Sequence, residues 1–258
     1  MSVVRILPEA LQLDIYPQYG LTTARSRGLK KVVLESMPRH TLEPLRFELP
    51  LILLRWAGIG VRRRYRSSDN LLVNLGAGAQ GRPGYVNVDV RRAPLVNCLY
   101  DCRKSLPFPD ASVRGIFCEH FFEHIDYTEE VPYFLSECWR VLKDQAVLRL
   151  IVPDAGRYLQ AFCNEGWEEL AQIRPLDAER TDRYFRCQYN TKMELINVVF
   201  RQGAEHKFAW DWETLRFVLL RYGFSKVTRQ ECGRALMPEL CLDQVARSCE
   251  SLYVDAQK

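Results

Sequence analysis

The sequence predicts an α/β fold in which a mostly parallel sheet is covered on both faces. Two observations carry this prediction. Short apolar runs alternate with segments of helical spacing from residue 71 onward, and the first apolar run ends in a glycine-rich loop. Alternating strands and helices favour parallel sheets, and glycines directly after a strand are typical of turns that approach a ligand closely.

The composition is that of an ordered globular protein. The 258 residues are 47% hydrophobic and 26% charged, with a formal net charge of only +4. So mild a charge, spread along the chain, does not predict a nucleic-acid partner. The nine cysteines include no Cys-x-x-Cys pair and no secretory leader is evident, which predicts reduced, mostly buried thiols in a cytoplasmic protein.

Residues 1–66 are predicted to form an N-terminal segment, helical or irregular, that precedes the core. Its prolines predict frequent breaks, and they are Pro8, Pro17, Pro38, Pro44 and Pro50. An apolar stretch over residues 49–60 runs into four arginines, Arg62, Arg63, Arg64 and Arg66. We expect a helix packed on the core with a solvated basic end. The alternative is a contact of residues 49–66 with an anionic membrane surface, which would place the protein at the periphery of the inner membrane.

The core domain, residues 67–258, begins after a polar boundary, and predicted strands alternate with predicted helices along it. Seven strands are predicted, over residues 71–75, 85–90, 95–100, 113–118, 146–152, 225–231 and 251–256. Amphipathic helices are predicted over residues 127–142 and 210–222, the second closed by Gly223 as a left-handed cap. Residues 155–205 do not follow this alternation and are rich in aromatic residues and arginine. We expect them to form a substrate-binding cap over the ligand crevice.

The glycine loop at residues 76–81 matches the Gly-x-Gly-x-x-Gly pattern of nucleotide-binding turns. In a dinucleotide site this loop opens a helix, and the ribose-binding acid follows about 20 residues later. Here Asp89 follows Gly76 by only 13 residues, and Pro83 interrupts any helix, so a nicotinamide dinucleotide is disfavoured. Asp89 still ends a strand beside the loop, where its carboxylate can bind both ribose hydroxyls or, alternatively, cap the next turn.

Six segments occur in the order typical of class I methyltransferases. They are residues 74–78, 86–89, 101 with 106–110, 119–125, 137–143 and 148–154. Over about residues 71–258 the chain resembles class I S-adenosylmethionine-dependent methyltransferases, and more narrowly the type 11 methyltransferase-domain family. It is most similar to a bacterial subgroup linked to cell-surface sugar metabolism, in which a short glycine and proline loop joins the first two strands.

The resemblance implies a Rossmann-like methyltransferase fold whose seven-stranded sheet has an antiparallel last strand. It also implies S-adenosylmethionine as the cofactor, with the glycine loop along its methionine part, Asp89 at its ribose, and Asp101 and Cys102 at its adenine edge. The full set of expected cofactor residues is Asn74, Gly76, Ala77, Gly78, Asp89, Asp101, Cys102 and Glu119. The helix that usually follows the glycine loop is missing, so the methionine carboxylate needs other donors.

Candidate catalytic residues lie after the fourth and fifth strands and at the end of the cap. Methyl transfer to a hydroxyl needs a group that removes the proton, and the candidates are His120, His124, Asp154 and His206. Asp154 alternatively caps the helix that starts at Ala155. We assign no metal ligand, although His120, Glu123 and His124 are spaced to act as a base with a supporting carboxylate, as ligands of a divalent ion, or as a network that only orders the turn.

Four arginines of the cap, Arg174, Arg180, Arg183 and Arg186, could hold an acidic group of the acceptor, although a solvated charged face is the simpler expectation. The expected function is O-methylation of a sugar, a glycan precursor or another small hydroxyl acceptor. Two alternatives remain: a nicotinamide-dependent sugar-nucleotide enzyme, and a non-catalytic relative that binds cofactor or partner without turnover. No nucleic-acid substrate is expected, because the chain has no basic stripe.

Overall fold

The computed structural model describes residues 39–185 and 187–258, in which seven strands form one sheet of order β3-β2-β1-β4-β5-β7-β6. The strands are β1 Leu71–Leu75, β2 Val86–Asp89, β3 Cys98–Leu99, β4 Val113–Glu119, β5 Leu142–Pro153, β6 Lys226–Gln230 and β7 Ser251–Gln257. The α-helices are α1 Arg39–Tyr65, α2 Val131–Val141, α3 Ala155–Cys163, α4 Glu168–Ile173, α5 Lys192–Arg201 and α6 Trp212–Arg221.

The direction of the strands brings distant parts of the chain to one edge of the sheet. Strand β1 pairs in parallel with β2 and β4, and β4 with β5. Strand β7 runs antiparallel to both β5 and β6. The segments that follow β1, β2, β4 and β5 therefore meet the segment that precedes β7. The predicted Rossmann-like methyltransferase fold, with its antiparallel last strand, is confirmed.

The predicted elements are found with modest changes at their ends. Strand β3 has only two residues, and α2 starts at Val131, four residues after the predicted start. Strand β5 begins earlier than predicted, at Leu142, which pairs with Val113 before the register shifts. Gln145, with φ of 64°, lies in this irregular part of the strand. Gly223, with φ of 93°, has the left-handed conformation predicted for it.

Helix α1 runs without a break through Pro44 and Pro50, so the breaks predicted at these two prolines are wrong. Pro50 is exposed, so water can solvate the carbonyl group that loses its helical hydrogen bond. Helix α1 ends at Tyr65 and β1 begins at Leu71, so the predicted boundary falls between a helix and the first strand, and the division into two units stays a prediction. The predictions for Pro8, Pro17 and Pro38 lie outside the described residues.

Only a narrow stripe of α1 packs on the core. Leu51, Gly58 and Tyr65, spaced seven residues apart, are buried, and a Cβ added to Gly58 would lie 2.9 Å from the Tyr100 ring. The opposite face is apolar and exposed, with Trp56 77% accessible. Its other large members are Leu45, Leu49, Ile52, Leu53 and Ile59. No helix in the described residues combines the length and apolarity that crossing a membrane requires.

The two faces of the sheet are covered differently. One face packs against α1, α2 and α6 in the main apolar core. The other face is covered by residues 231–248, which contribute Met237 and Leu240 to a smaller core. This segment replaces the helix that is missing after the glycine loop.

A buried arginine fastens that covering segment to the sheet. Arg149, in the middle of β5, is fully buried. Its guanidinium donates to Asp255 Oδ1 on β7 at 2.7 Å and to Asp243 Oδ2 at 2.6 Å. Buried charges are tolerated when their partners are this close, and removing one partner leaves the other charges uncompensated.

Residues 155–205 form the cap, with helices α3, α4 and α5 and an apolar core of their own. Contrary to the solvated face expected for the cap arginines, Arg174 is buried. Its Nε donates to Asp182 Oδ2 at 2.8 Å within the cap, and its Nη1 donates to Glu250, the residue before β7. Arg174 therefore connects the cap to the sheet. Arg186 lies outside the described residues.

We predict that Arg149→Met lowers the free energy of unfolding by about 3–5 kcal/mol, because Asp243 and Asp255 would stay buried without their counter-charge. Urea unfolding followed by circular dichroism measures this loss. The matched control is Arg234→Met, because Arg234 and its partner Glu231 are 76% and 75% exposed and such pairs contribute at most about 1 kcal/mol. Equal small losses in both variants would contradict the structural role of Arg149.

Candidate functional site

The glycine loop turns directly after β1, and its conformation explains two of its glycines. Gly76 has φ of 68° and Gly78 has φ of 46°, both in the left-handed region that favours glycine. A Cβ added to Gly76 would lie 2.5 Å from the Phe121 side chain, whereas one added to Gly78 would meet no atom within 4 Å. Gly76 therefore lets the loop pass under Phe121, and Gly78 faces open space where a ligand can approach.

Asp89 lies at the end of β2 beside this loop, as predicted. Its Oδ2 accepts from the backbone N–H of Gly78 at 2.8 Å, and its Oδ1 accepts from that of Arg91 at 2.8 Å. Each carboxylate oxygen keeps a second lone pair for a ligand hydroxyl. The carboxylate thus both orders the glycine loop and stays available at the sheet edge, so the two roles expected for it are compatible.

Asn74 and Ala77 belong to the frame of the loop. The Asn74 amide donates to Asn87 Oδ1 at 3.1 Å and to the Gln80 carbonyl at 3.3 Å. The backbone N–H of Ala77 donates to the Val88 carbonyl at 3.0 Å. These contacts hold the loop against β2, and a direct contact of Asn74 with the cofactor stays a prediction.

Asp101 and Cys102 are both buried at the end of β3. The Asp101 carboxylate is held by Arg103, whose Nε lies 2.9 Å from Oδ1, and by Arg55 of α1, whose Nε lies 2.9 Å from Oδ2. This network ties α1 to the sheet and occupies oxygens that were expected to face adenine, so an adenine contact of Asp101 stays a prediction. Burial raises the pKa of the Cys102 thiol well above its usual value. The nine cysteines form no disulfide among the described residues.

Glu119, the last residue of β4, contacts the segment that covers the sheet. Its two oxygens accept from the backbone N–H and the side-chain amide of Gln244, both at 2.9 Å. Glu119 is buried, so these bonds fix the covering segment at the carboxyl edge of β4. Its predicted role in cofactor binding stays a prediction.

Three of the four candidate catalytic residues come together with Glu123. His120 follows β4 with φ of 50°, an uncommon conformation for a residue other than glycine. His124 ends the 3₁₀ turn Phe122–His124. His206 lies after the cap, and its ring packs edge-on against His124 at 4.7 Å between centroids. His206 is therefore held inside the site, with its side chain only 7% exposed.

Glu123 lies at the centre of this group and is 2% exposed. His120 Nδ1 is 3.2 Å and His206 Nε2 is 4.0 Å from Glu123 Oε1. Burial alone would raise the pKa of Glu123, but the hydrogen bond with His120 and the nearby histidines outweigh it and lower the pKa to about 2. Burial also lowers the pKa of His206, against the attraction of Glu123. The Glu123 carboxylate and the neutral imidazole of His206 therefore face each other at neutral pH.

Asp154 is not part of this group. Its Oδ1 accepts from the backbone N–H of Arg157 at 3.1 Å as the N-cap of α3, and its Oδ2 accepts from Arg229 Nη2 at 2.8 Å. The alternative that Asp154 caps a helix is therefore confirmed. Asp154 lies outside the residues that line the cavity described next, and its role as a catalytic base stays a prediction.

The histidines line a cavity of about 140 Å³ between the sheet edge and the cap. Its walls are mostly polar and charged. They comprise His120, Glu123, His124, Arg174, Gln202, His206, Arg247 and Glu250, with Pro153, Phe185 and Val199 as the apolar part. Such a cavity suits a polar molecule, which it can orient through charge-assisted hydrogen bonds.

Sequence reasoning left Glu123 out of the site residues and missed Arg247 and Glu250. Arg247 Nη1 lies 2.9 Å from Glu250 Oε1, directly before β7. A signal was available, because an antiparallel last strand begins at the edge where the parallel strands end. The residues before β7 had to lie beside those after β4, but they were not examined as site residues.

Residues 85–150 match the family model of a methyltransferase domain. The match spans β2 to most of β5 and leaves out α1, the glycine loop and the cap. A search of curated proteins found no match to the chain. Together with the sheet order, the family match supports an enzyme that transfers a methyl group from S-adenosylmethionine.

Several solved structures resemble the chain at low identity. An S-adenosylmethionine-dependent methyltransferase from Archaeoglobus fulgidus is 18% identical over 79% of this chain and 93% of that one, with a TM-score of 0.42. One from Mesorhizobium loti is 15% identical over 77% and 96%, with a TM-score of 0.42. The 1,6-didemethyltoxoflavin-N1-methyltransferase of Burkholderia thailandensis is 12% identical over 80% and 77%, with a TM-score of 0.41. Similarities this low carry no argument about the acceptor.

We predict that Gly76→Ala destabilises the protein more than Gly84→Ala, as measured by thermal and urea unfolding. Both glycines have positive φ and share the strain of a left-handed alanine, about 1–2 kcal/mol. Only at Gly76 would the new Cβ also clash with Phe121, whereas at Gly84 it would meet no atom within 4 Å. Equal losses would show that Phe121 does not press on the loop.

Proposed function

We propose that this S-adenosylmethionine-dependent methyltransferase acts on a hydroxyl of a small polar acceptor, such as a sugar or a glycan precursor. The observation that carries the proposal is the position of the polar cavity. It opens after β4 and beneath the cap, on the sheet edge that also holds the glycine loop and Asp89. Cofactor and acceptor sites on one edge allow the two reactants to be aligned, which is the main task in methyl transfer.

The cofactor fits the residues at the ends of β1 and β2. Gly78 leaves space for a ligand, and the Asp89 oxygens each keep a lone pair for a ribose hydroxyl. When bound, S-adenosylmethionine supplies an electrophilic methyl group on a sulfonium. The chain's own part is to orient the ligand through the Gly78 backbone and Asp89, with Phe121 packed over the turn.

The cavity walls favour an acceptor with hydroxyl or acidic groups. Arg174 Nη2 is buried and has no hydrogen-bond partner among the residues that the structure describes, so an acceptor oxygen would satisfy it. The histidines supply nitrogen atoms that can take the proton of a hydroxyl. An apolar acceptor would leave these groups unpaired, so the cavity disfavours it.

We predict that the protein binds S-adenosylmethionine and S-adenosylhomocysteine in the micromolar range, and that Asp89→Ala weakens both at least tenfold, about 1.4 kcal/mol. Calorimetric titration of the full chain measures the affinities, with NADH as the competing dinucleotide. The matched control is Asp144→Ala, which removes an exposed carboxylate near the start of β5. Binding of NADH alone would contradict the proposal and favour the nicotinamide enzyme. The protein is also incubated with S-adenosylmethionine and each member of a panel of sugars and sugar nucleotides. If it binds the cofactor but forms no S-adenosylhomocysteine with any of them, the non-catalytic relative is favoured.

We further propose that α1 lies on an anionic membrane surface. Its exposed apolar stripe includes Leu53 and Trp56, 75% and 77% accessible. Exposed arginines follow at its end, namely Arg62, Arg63, Arg64 and Arg66. An apolar helix face beside a basic cluster is typical of helices that lie in the interface of anionic bilayers.

We predict that the full chain sediments with phosphatidylglycerol vesicles and less with phosphatidylcholine vesicles, and that Trp56→Glu reduces the bound fraction severalfold. Phe217→Glu is the matched control, because it adds the same charge at an exposed apolar residue of α6. Equal binding by both variants would contradict the proposal. A dimer in solution that Trp56→Glu dissociates would contradict it too, by assigning the stripe to a second copy of the chain.

A further inference from the structure

Three side chains at the cavity wall direct their metal-binding atoms towards one another. One nitrogen each of His124 and His206 and one oxygen of Glu123 all lie within 4.8 Å of each other. A tetrahedral ion with bonds of about 2.1 Å spaces its ligands about 3.4 Å apart. Small side-chain rotations are enough to shorten the distances between these three ligand atoms by about 1 Å.

The second nitrogen of each histidine is already held by a backbone carbonyl. His124 Nδ1 lies 3.2 Å from the Glu205 oxygen, and His206 Nδ1 lies 2.6 Å from the Val199 oxygen. A neutral imidazole that donates through Nδ1 carries its lone pair on Nε2. This pattern, in which a carbonyl fixes the tautomer and the ring orientation, is the usual support of a metal-binding histidine.

The carboxylate lacks a partner that its burial requires. Glu123 is 2% exposed, and its Oε2 has no hydrogen-bond partner among the described residues. The ion pairs of Glu123 within the described residues are with His120 and His206 alone. A buried carboxylate oxygen without a donor is costly, and a cation between Glu123, His124 and His206 would supply the missing partner.

We propose that Glu123, His124 and His206 bind a divalent first-row transition metal ion whose remaining positions open into the cavity. Two imidazoles and one carboxylate suit Zn²⁺, Co²⁺ or Fe²⁺, whereas Mg²⁺ and Ca²⁺ prefer oxygen ligands throughout. His120 acts as a positioning residue, because its Nδ1 lies 3.2 Å from Glu123 Oε1 and its Nε2 lies 3.0 Å from Ser251 Oγ.

The use of the ion rests on the proposed function. An acceptor hydroxyl bound at an open position of the ion would have its pKa lowered, so that it loses its proton at neutral pH. The proton would pass to water or to a neighbouring imidazole, and the acceptor oxygen would then take the methyl group that S-adenosylmethionine supplies, whose sulfonium would become the thioether of S-adenosylhomocysteine. Metal binding itself does not depend on this step.

The test is a Co²⁺ titration of the full chain, without a polyhistidine tag and freed of metal by chelation. We expect one ion per chain, visible absorption bands of nitrogen- and oxygen-bound Co²⁺, and displacement by Zn²⁺ but not by equimolar Mg²⁺. Glu123→Gln, His124→Ala and His206→Ala should each weaken Co²⁺ binding at least tenfold. Glu165→Gln, which changes an exposed carboxylate outside the cavity walls, should leave Co²⁺ binding unchanged.

A second measurement separates loss of metal binding from loss of folding. Zn²⁺ should raise the Tm of the wild-type chain and of Glu165→Gln, because it binds only the folded state, and should leave the Tm of the three site variants unchanged. Absence of Co²⁺ binding, or binding that the three variants do not alter, would overturn the proposal. Failure of S-adenosylmethionine binding with intact Co²⁺ binding would instead count against the proposed function alone.

Discussion

The buried charge of Arg174 holds the cap on the sheet, and the cavity exists because of it. The guanidinium lies between Asp182 of the cap and Glu250 at the start of β7, while Tyr158 and Tyr189 donate to the same two carboxylates. Charges this deeply buried are tolerated only when paired and hydrogen-bonded. Since the bonds to Glu250 cross from cap to sheet, moving the cap away would separate the buried Glu250 carboxylate from Arg174 and Tyr158.

The histidine cluster follows from that arrangement. The sheet fixes the residues that follow β4, namely His120, Glu123 and His124. His206 comes at the end of the cap and lies beside them only when the cap is packed on the sheet. The backbone N–H of Lys207 donates to the Glu123 carbonyl at 2.7 Å, which fixes the returning chain beside the turn. The proposed acceptor site, the proposed proton acceptors and the proposed metal site therefore all depend on the same contact between cap and sheet.

The predictions from sequence succeeded where a local pattern has one physical meaning. Apolar runs bounded by turns became strands, and the early Asp89 excluded a normal dinucleotide helix because the chain has too few residues to build one. They were less specific where one residue type serves two purposes. Asp154 was expected either as a base or as the cap of α3, and it does cap α3. Asp101 was expected at the adenine edge, which stays a prediction, and the structure adds that Arg55 and Arg103 hold its carboxylate. A carboxylate's partners, not its place in the chain, decide its role.

The sequence by itself determined the order of strands and helices, the left-handed glycines of the first loop and the polar end of each parallel strand. These features depend on backbone sterics and on hydrophobic periodicity, which act over a few residues. Only the tertiary structure decided that His206 lies beside His124, that Arg174 is buried, and that residues 231–248 cover a sheet face in place of a helix. These outcomes depend on contacts between residues far apart in the chain, whose charges and apolar surfaces find partners only when the whole sheet is formed.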